Sequence, residues 1–323
     1  MKQPIKYLYH HLRYLFFKKK LWLEDTNMNK NGKMNLKPYN SFYHKNVLDV
    51  EQANLAISNY INSGESFLVA RIGACENSVM KIFDFDFKSK KEKMAVQLCT
   101  CAGFFPNNFV LIEKFSKLMK ESLEDVDFLG LFKNNFEDYY ISSCCKKDLI
   151  VSPFPCLYPY YSVSNPWTKA LQGKKVLVVH PFESTIKHQY KIIDKIWGEY
   201  ELMPKFDLLT VKAIQTIAGN KDERFNTWFD ALDYMYSECM KLDFDVAIIG
   251  CGAYGLPLSA KLKKSGKSCI HLGGITQILF GIRGKRWDES YTFLEKYYNE
   301  YWVYPFDEDR PKGLECVENG CYW

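Results

Sequence analysis

Four short stretches of this chain combine small residues with groups that could do chemistry. Arg71-Ile72-Gly73-Ala74-Cys75-Glu76 sets a guanidinium and a carboxylate on either side of a glycine turn. The arginine could neutralise a diphosphate, and Glu76 could ligate a divalent cation or act as a base. A structural ion pair between Arg71 and Glu76 is the plainer alternative. Gly250-Cys251-Gly252-Ala253-Tyr254-Gly255 matches GxGxxG, in which glycines admit a diphosphate close to the backbone and the next helix N-terminus offers free N–H groups. A tight turn that needs small residues for packing alone would read the same. His271-Leu272-Gly273-Gly274 repeats the theme, and beyond it lie Arg283, Lys285 and Arg286, which are either guanidinium forks for phosphate or a solvated basic turn. In His180-Pro181-Phe182-Glu183-Ser184-Thr185 the hydroxyls of Ser184 and Thr185 could hold phosphate or sugar oxygens, or simply cap a helix.

These stretches matter because of the elements around them. Apolar runs at Ser66 to Ile72, Lys175 to His180, Leu208 to Ala213, Val246 to Gly250 and Cys269 to Leu272 read as buried strands. Shorter strands are expected at Phe128 to Phe132 and Tyr139 to Ser142. Helical spacing covers Asp49 to Asn62, Glu76 to Phe83, Lys91 to Cys101, Asn108 to Leu123, Thr185 to Trp197, Asn226 to Leu242, Leu256 to Lys264 and Thr276 to Gly281. This alternation predicts an α/β, Rossmann-like fold: a mostly parallel sheet with helices on both faces. Ligands of such sheets bind at the carboxyl ends of the strands, where all four stretches fall. A nicotinamide dinucleotide would ask for an acid at the end of the strand after GxGxxG, and Cys269-Ile270-His271-Leu272 has none.

Two DxD triplets, Asp84-Phe85-Asp86 and Asp243-Phe244-Asp245, are weaker metal candidates. The first follows a helix and the second precedes its strand, away from the ligand edge. Eleven cysteines, none in a CxxC pair, fit reduced cytosolic thiols better than a zinc site or a disulfide framework.

The 323 residues are 47% hydrophobic and 25% charged, an ordinary globular balance, and the net charge is only +5. Lys2, Lys6, Arg13, Lys18, Lys19 and Lys20 supply that excess within the first twenty residues, so a nucleic-acid-binding face is not expected. The same segment carries Leu8, Leu12, Leu15, Phe16, Leu21, Trp22 and Leu23. It reads as a basic amphipathic helix over 1–24, lying either on an anionic membrane surface or against the body of the protein or a partner subunit in a homo-oligomer. Residues 25–46, rich in Asn and Lys, read as a polar linker, and the folded body is expected over 47–323. With no secretory signal and no run of about 20 apolar residues, the expected location is the cytoplasm, at the inner face of the membrane if the helix docks there.

Over about residues 66 to 323 the chain resembles bacterial glycosyltransferases of the GT-D fold and related proteins of capsule and surface-polysaccharide loci. Arg71-Ile72-Gly73-Ala74-Cys75-Glu76 looks like the family's Arg-aromatic-Gly-Asp-Gly-Glu, and Gly250 through His271-Leu272-Gly273-Gly274 is similar to its later glycine loops. Further likeness lies at Asn165-Pro166-Trp167, Val179 to Phe182, Gly281 to Trp287 and Glu318 to Trp323. The resemblance implies sugar transfer from a nucleoside-diphosphate sugar to a glycan acceptor, free or lipid-linked, with Mn2+ or Mg2+ held by the motif's Asp and Glu. Ala74 stands where that Asp would be, which leaves Glu76 as the one carboxylate that carries over. The implied roles are catalysis by Arg71 and Glu76, and donor binding by Gly73, His180, Ser184, Thr185, Gly250, Gly252, Tyr254, Gly255, His271, Gly273, Gly274, Arg283 and Arg286. The alternatives are a Rossmann-type NAD(P)-dependent oxidoreductase and a nucleotide-sugar-binding scaffold without chemistry.

Overall fold

A computed structural model describes residues 3–31, 33–162 and 164–323. Lys2, in the expected N-terminal helix, and Gly32, in the expected linker, lie outside the described residues. Seven strands form one sheet: β1 (Leu68–Arg71), β2 (Phe128–Leu131), β3 (Ile150–Pro153), β4 (Lys175–His180), β5 (Asp207–Lys212), β6 (Val246–Ile249) and β7 (Ser268–His271). Their order is β3-β2-β1-β7-β6-β4-β5 and every pairing is parallel. The register sets Val69 beside both Phe128 and Ile270, so β1 is an inner strand.

The strands are short and almost wholly apolar because helices cover both faces. Alternate residues feed two separate cores. Leu68, Ala70, Leu177, Val179, Ala247 and Ile249 pack on one side, with Ile112, Phe115, Trp228 and Leu258 from its helices. Phe67, Val69, Val176, Val178, Val246 and Ile248 pack on the other, with Ile57, Ile186, Trp197 and Ile278.

The expected Tyr139–Ser142 strand is instead part of a helix, Glu137–Cys144. Aromatic and β-branched residues there favour a strand locally, but tertiary contacts decide otherwise. The buried Glu137 carboxylate accepts the backbone N–H groups of Phe132 (3.0 Å) and Lys133 (2.9 Å) and the Tyr43 hydroxyl (2.5 Å), which fixes this segment as the first turn of a helix. β3 went unmarked in the sequence because it is four residues long and ends on Pro153. The single helix expected over Thr185–Trp197 is divided into Glu183–Tyr190 and Ile193–Trp197.

Residues 25–46 are not a polar linker in local structure. Helix α1 (Gln3–Asn31) runs on past Asp25, and α2 (Lys37–Tyr43) buries Tyr39, Phe42 and Tyr43. Asp25 pairs with Lys133 and accepts the Tyr39 hydroxyl (2.5 Å). The i, i+3, i+4 spacing of those three aromatics marks a buried helical stripe, hidden in the sequence by the Asn and Lys around it. α1 is anchored by His10 and Arg13, which reach the Asp138 carboxylate at 2.8 and 3.0 Å, and by fully buried Leu21.

Glu137 thus satisfies two buried donors and a third, half-buried one, and burial raises its own pKa to about 7. Replacing it by Ala strands those donors, so Glu137→Ala should lower unfolding free energy in urea by about 3 kcal/mol or more, at 1–3 kcal/mol per unsatisfied group. Equal stability of the two proteins would show that the carboxylate does not organise this region.

Candidate functional site

A cleft opens at the carboxyl edge of four adjacent inner strands, between the loops that follow β1, β7, β6 and β4. It has two connected parts, of ≈ 680 Å³ and ≈ 1240 Å³ including space open to solvent, which share Arg71, Ala102, Gly252, Gly274 and Tyr322 in their walls.

Arg71 is the last residue of β1, and its position follows from the strand: Leu68, Val69 and Ala70 are fully buried, and the first polar side chain appears where the strand leaves the sheet. Its guanidinium lies 5.5 Å from the Phe132 ring centre and 6.0 Å from that of Phe154. It also presses on Gly273, where a side chain would collide with it. No carboxylate pairs with Arg71 among the described residues, and its buried Nε has no hydrogen-bond partner. The ion pair with Glu76 weighed above is therefore not formed, although both residues line the wider part of the cleft.

Glu76 sits in the first turn of the helix Ala74–Asp84 and is 8% exposed. Its carboxylate folds back over Gly73, the residue that caps the helix, and a Cβ at position 73 would occupy the same space. Two amides hold this turn: Asn134 donates to the Ile72 carbonyl (3.1 Å), and Asn77 donates to the Asn135 carbonyl (2.8 Å).

The GxGxxG turn divides its labour. Gly250 is in close contact with two neighbouring segments, since a Cβ there would lie 2.6 Å from Thr276 Oγ1 and 2.7 Å from both the Gly273 carbonyl and the His180 ring. Gly255 gives way to the His271 ring in the same manner. Gly252 faces the cleft, has φ +57°, and has open space where a side chain would be. Tyr254 is buried and stacks on Trp228 at 4.6 Å with 7° between the rings.

Several expected donor-binding residues are engaged elsewhere. Thr185 gives both its N–H and its hydroxyl to Asp309 (2.8 Å each), and neither it nor Ser184 lines the cleft or caps a helix. Arg283 bonds to Asp288 (3.2 Å) and stacks on Tyr298 and Tyr304, outside the cleft. His271 is packed beneath the GxGxxG helix, away from the cleft wall. Arg286 does reach the cleft, but it is held by the Tyr322 hydroxyl (2.9 Å) and by Glu318.

The cleft also has walls that pattern reading did not mark as site residues. Glu318, Tyr322 and Trp323 close one side, with the Tyr322 ring pressed onto Gly274. Gln277 donates to the Tyr322 carbonyl (3.1 Å) and Arg286 N–H to the Cys321 carbonyl (2.8 Å), which pins this segment. Cys101, Ala102 and Gly103 form the opposite wall, tied to Thr216 through its hydroxyl and the Gly103 carbonyl (2.5 Å). The available signal was the Gly- and aromatic-rich terminal run itself; nothing in its spacing points at the cleft.

The donor set does not fit a protein-held divalent cation. Of the two carboxylates on the cleft, Glu318 is occupied by Arg286, and Ala74 offers no oxygen. No group of three or more His, Cys, Asp or Glu gathers among the described residues. Both DxD triplets are engaged with lysines, Asp84 with Lys120, Asp86 with Lys91 (2.7 Å), Asp243 with Lys175 (2.6 Å), while Asp245 accepts the Lys175 N–H (2.8 Å).

No protein-family model matches this chain, and no curated protein matches it. Among solved structures, the highly conserved domain of unknown function 1792, described as having a distinct glycosyltransferase fold, aligns with 83% of this chain and 93% of its own, at 16% identity and a TM-score of 0.45. A selenomethionine-substituted structure of the same domain covers the same shares at 16% identity and a TM-score of 0.44.

His180 lines the narrower part of the cleft, and its Nδ1 accepts the Phe182 N–H (3.0 Å). Burial pushes its pKa down from 6.5 to about 3. His271 is lowered to about 3 as well, by burial first and then by the Arg71 charge. Both rings stay neutral when folded, while the unfolded chain takes up protons below 6.5, so their contribution to stability is complete above that pH and is lost as pH falls toward 3. Glu137 works in the opposite sense between 4.5 and about 7. Comparing His180→Asn with the parent cancels Glu137. Between about pH 7 and about pH 5 the variant should lose about 2 kcal/mol less stability than the parent. Equal losses would mean that folded His180 already carries a proton.

Proposed function

We propose that the cleft binds a nucleoside-diphosphate sugar and that the protein transfers the sugar to a glycan acceptor. The observation that carries this reading is Arg71: a guanidinium without a counter-ion, its Nε buried and unpartnered, at the carboxyl end of an inner parallel strand and at the junction of the cleft's two parts. Arg71 is half-buried, with its Nε cut off from water, and a cation so placed without a partner favours an anionic ligand that pairs with it. A diphosphate matches both the charge and the place, because ligands of such sheets lie across the strand ends.

In this reading Gly252 lets the diphosphate approach the backbone, and Arg71 neutralises the negative charge that builds on it as the glycosidic bond breaks. Glu76, in the same part of the cleft, orients the acceptor hydroxyl and takes its proton. Charge neutralisation falls to guanidinium because the residues present do not assemble a cation site. The acceptor class, a glycan of a bacterial surface polysaccharide or glycoconjugate, rests on the sequence resemblance. Ala74 also favours a second reading, in which the protein binds the nucleotide sugar without turning it over.

Calorimetry with a panel of nucleoside diphosphates, with and without Mn2+, tests the proposal. One of them should bind without added metal, and Arg71→Ala should weaken it by at least about 10-fold, the scale of a lost charge-assisted contact. Glu76→Gln should retain binding while lowering turnover by about 100-fold or more. Binding indifferent to Arg71→Ala would overturn the assignment. Binding without turnover by the parent would select the second reading.

A further inference from the structure

The surface opposite the anchored side of α1 is unlike the rest of the molecule. Eight of the fourteen exposed large hydrophobic residues among those described lie on this one helix. Ile5, Leu8, Leu12, Leu15, Phe16 and Leu23 are between 52% and 66% exposed. Their three- and four-residue spacing puts them in one row, about 27 Å long at 1.5 Å per residue. His10, Leu21 and Met28, also at helical spacing, mark the buried side. Lys19 falls within the apolar row, and Lys18 and Lys20 fall on its flanks. All three lysines are exposed, and none forms an ion pair among the described residues. No acid precedes Glu24 in the sequence.

We propose that this face of α1 seats the protein on an anionic lipid surface, lying in the plane of the interface. Two features of this face favour lipid over a second copy of the chain. A face-to-face pair of these helices would bring Lys19 into an apolar seam without a counter-charge, which is costly. A bilayer surface offers apolar depth for the row and anionic headgroups for the lysines, whose stems can lie along the apolar surface while their ammonium groups stay in the headgroup layer. No described helix is long and apolar enough to cross a membrane, so the contact is peripheral.

The helix is also connected to the cleft. His11 Nδ1 is hydrogen-bonded to the Asn135 side-chain amide (3.0 Å), and the Asn135 carbonyl accepts from Asn77, next to Glu76. The lipid-facing helix is therefore linked through Asn135, by two hydrogen bonds, to the helix that carries Glu76. The docking itself does not depend on what the cleft binds.

Deleting the helix would also remove the His10, Arg13 and Leu21 anchors, so substitutions of exposed residues are the sound test. The full chain is sedimented with vesicles of phosphatidylcholine alone or with phosphatidylglycerol added, alongside Leu8→Ser/Leu12→Ser/Phe16→Ser and Lys18→Gln/Lys19→Gln/Lys20→Gln variants, with thermal midpoint and sedimentation mass measured in parallel. The parent should be retained by the anionic vesicles at least about 10-fold better than by neutral ones. Its retention should fall as salt shortens the screening length below the physiological value of about 8 Å. Each triple variant should lose at least about 10-fold in retention with an unchanged thermal midpoint. Equal retention by neutral vesicles, or unchanged retention of either variant, overturns the proposal. So does a dimeric mass in the parent that the serine variant abolishes, which would show a second copy covering the face.

Discussion

β1 has a neighbour on each edge and a layer of helices on each face, and this enclosure governs the rest of the molecule. A strand buried in that way tolerates no unpaired polar side chain along its length, so polar function can begin only where the strand ends. Arg71 is at that point, and its lack of a carboxylate partner follows from its surroundings: two phenyl rings, a glycine and the open cleft. The strand order adds the second half of the constraint. The chain crosses from β3 to β4 on the far side of the sheet, then returns through β6 and β7 to close against β1. Loops distant in sequence, ending at residues near 71, 180, 250 and 274, are thereby gathered along one edge.

What shapes the cleft is steric as much as chemical. Gly250, Gly255, Gly273 and Gly274 each occupy a place where a methyl group would meet a neighbouring loop or side chain. These contacts let His180, Thr276, His271, Arg71 and Tyr322 approach the loop backbones, so the glycines that resemble a nucleotide-binding signature serve mainly to seat protein against protein. Gly252 is the member of the group with free space toward the cleft. A glycine motif thus contains both roles, and only the neighbours of each Cα separate them.

A second organising centre lies at adjacent buried acids. Glu137 binds the loop after β2 and Tyr43 of α2, while Asp138 binds His10 and Arg13 of α1. Through them the N-terminal helices become part of the body rather than an appendage. Anchoring one side of α1 also fixes which side faces outward, which is how an amphipathic helix comes to display an apolar row to solvent.

The strand-helix alternation was legible in the sequence because strands buried on both faces appear as apolar runs, and the position of the candidate loops followed from the rule that such sheets present their loops at the carboxyl edge. Lys175–His180 matched to the residue because a charged start and a solid apolar run leave no ambiguity. Other features are tertiary by nature. Tyr139–Ser142 has the local composition of a strand, yet the donors that Glu137 satisfies come from Tyr43, Phe132 and Lys133, and the sequence does not reveal their proximity. Thr185 and Arg283 have the right residue type in the right loop, but Asp309 and Asp288 already occupy them. Arg71 is the reverse case: its type and place were readable from the strand that ends there, whereas its lack of a partner could be known only from what surrounds it. Sequence alone determines which side chains a loop offers; whether each is free to act depends on long-range packing, because a charge or hydroxyl serves a ligand only where no other part of the chain has satisfied it first.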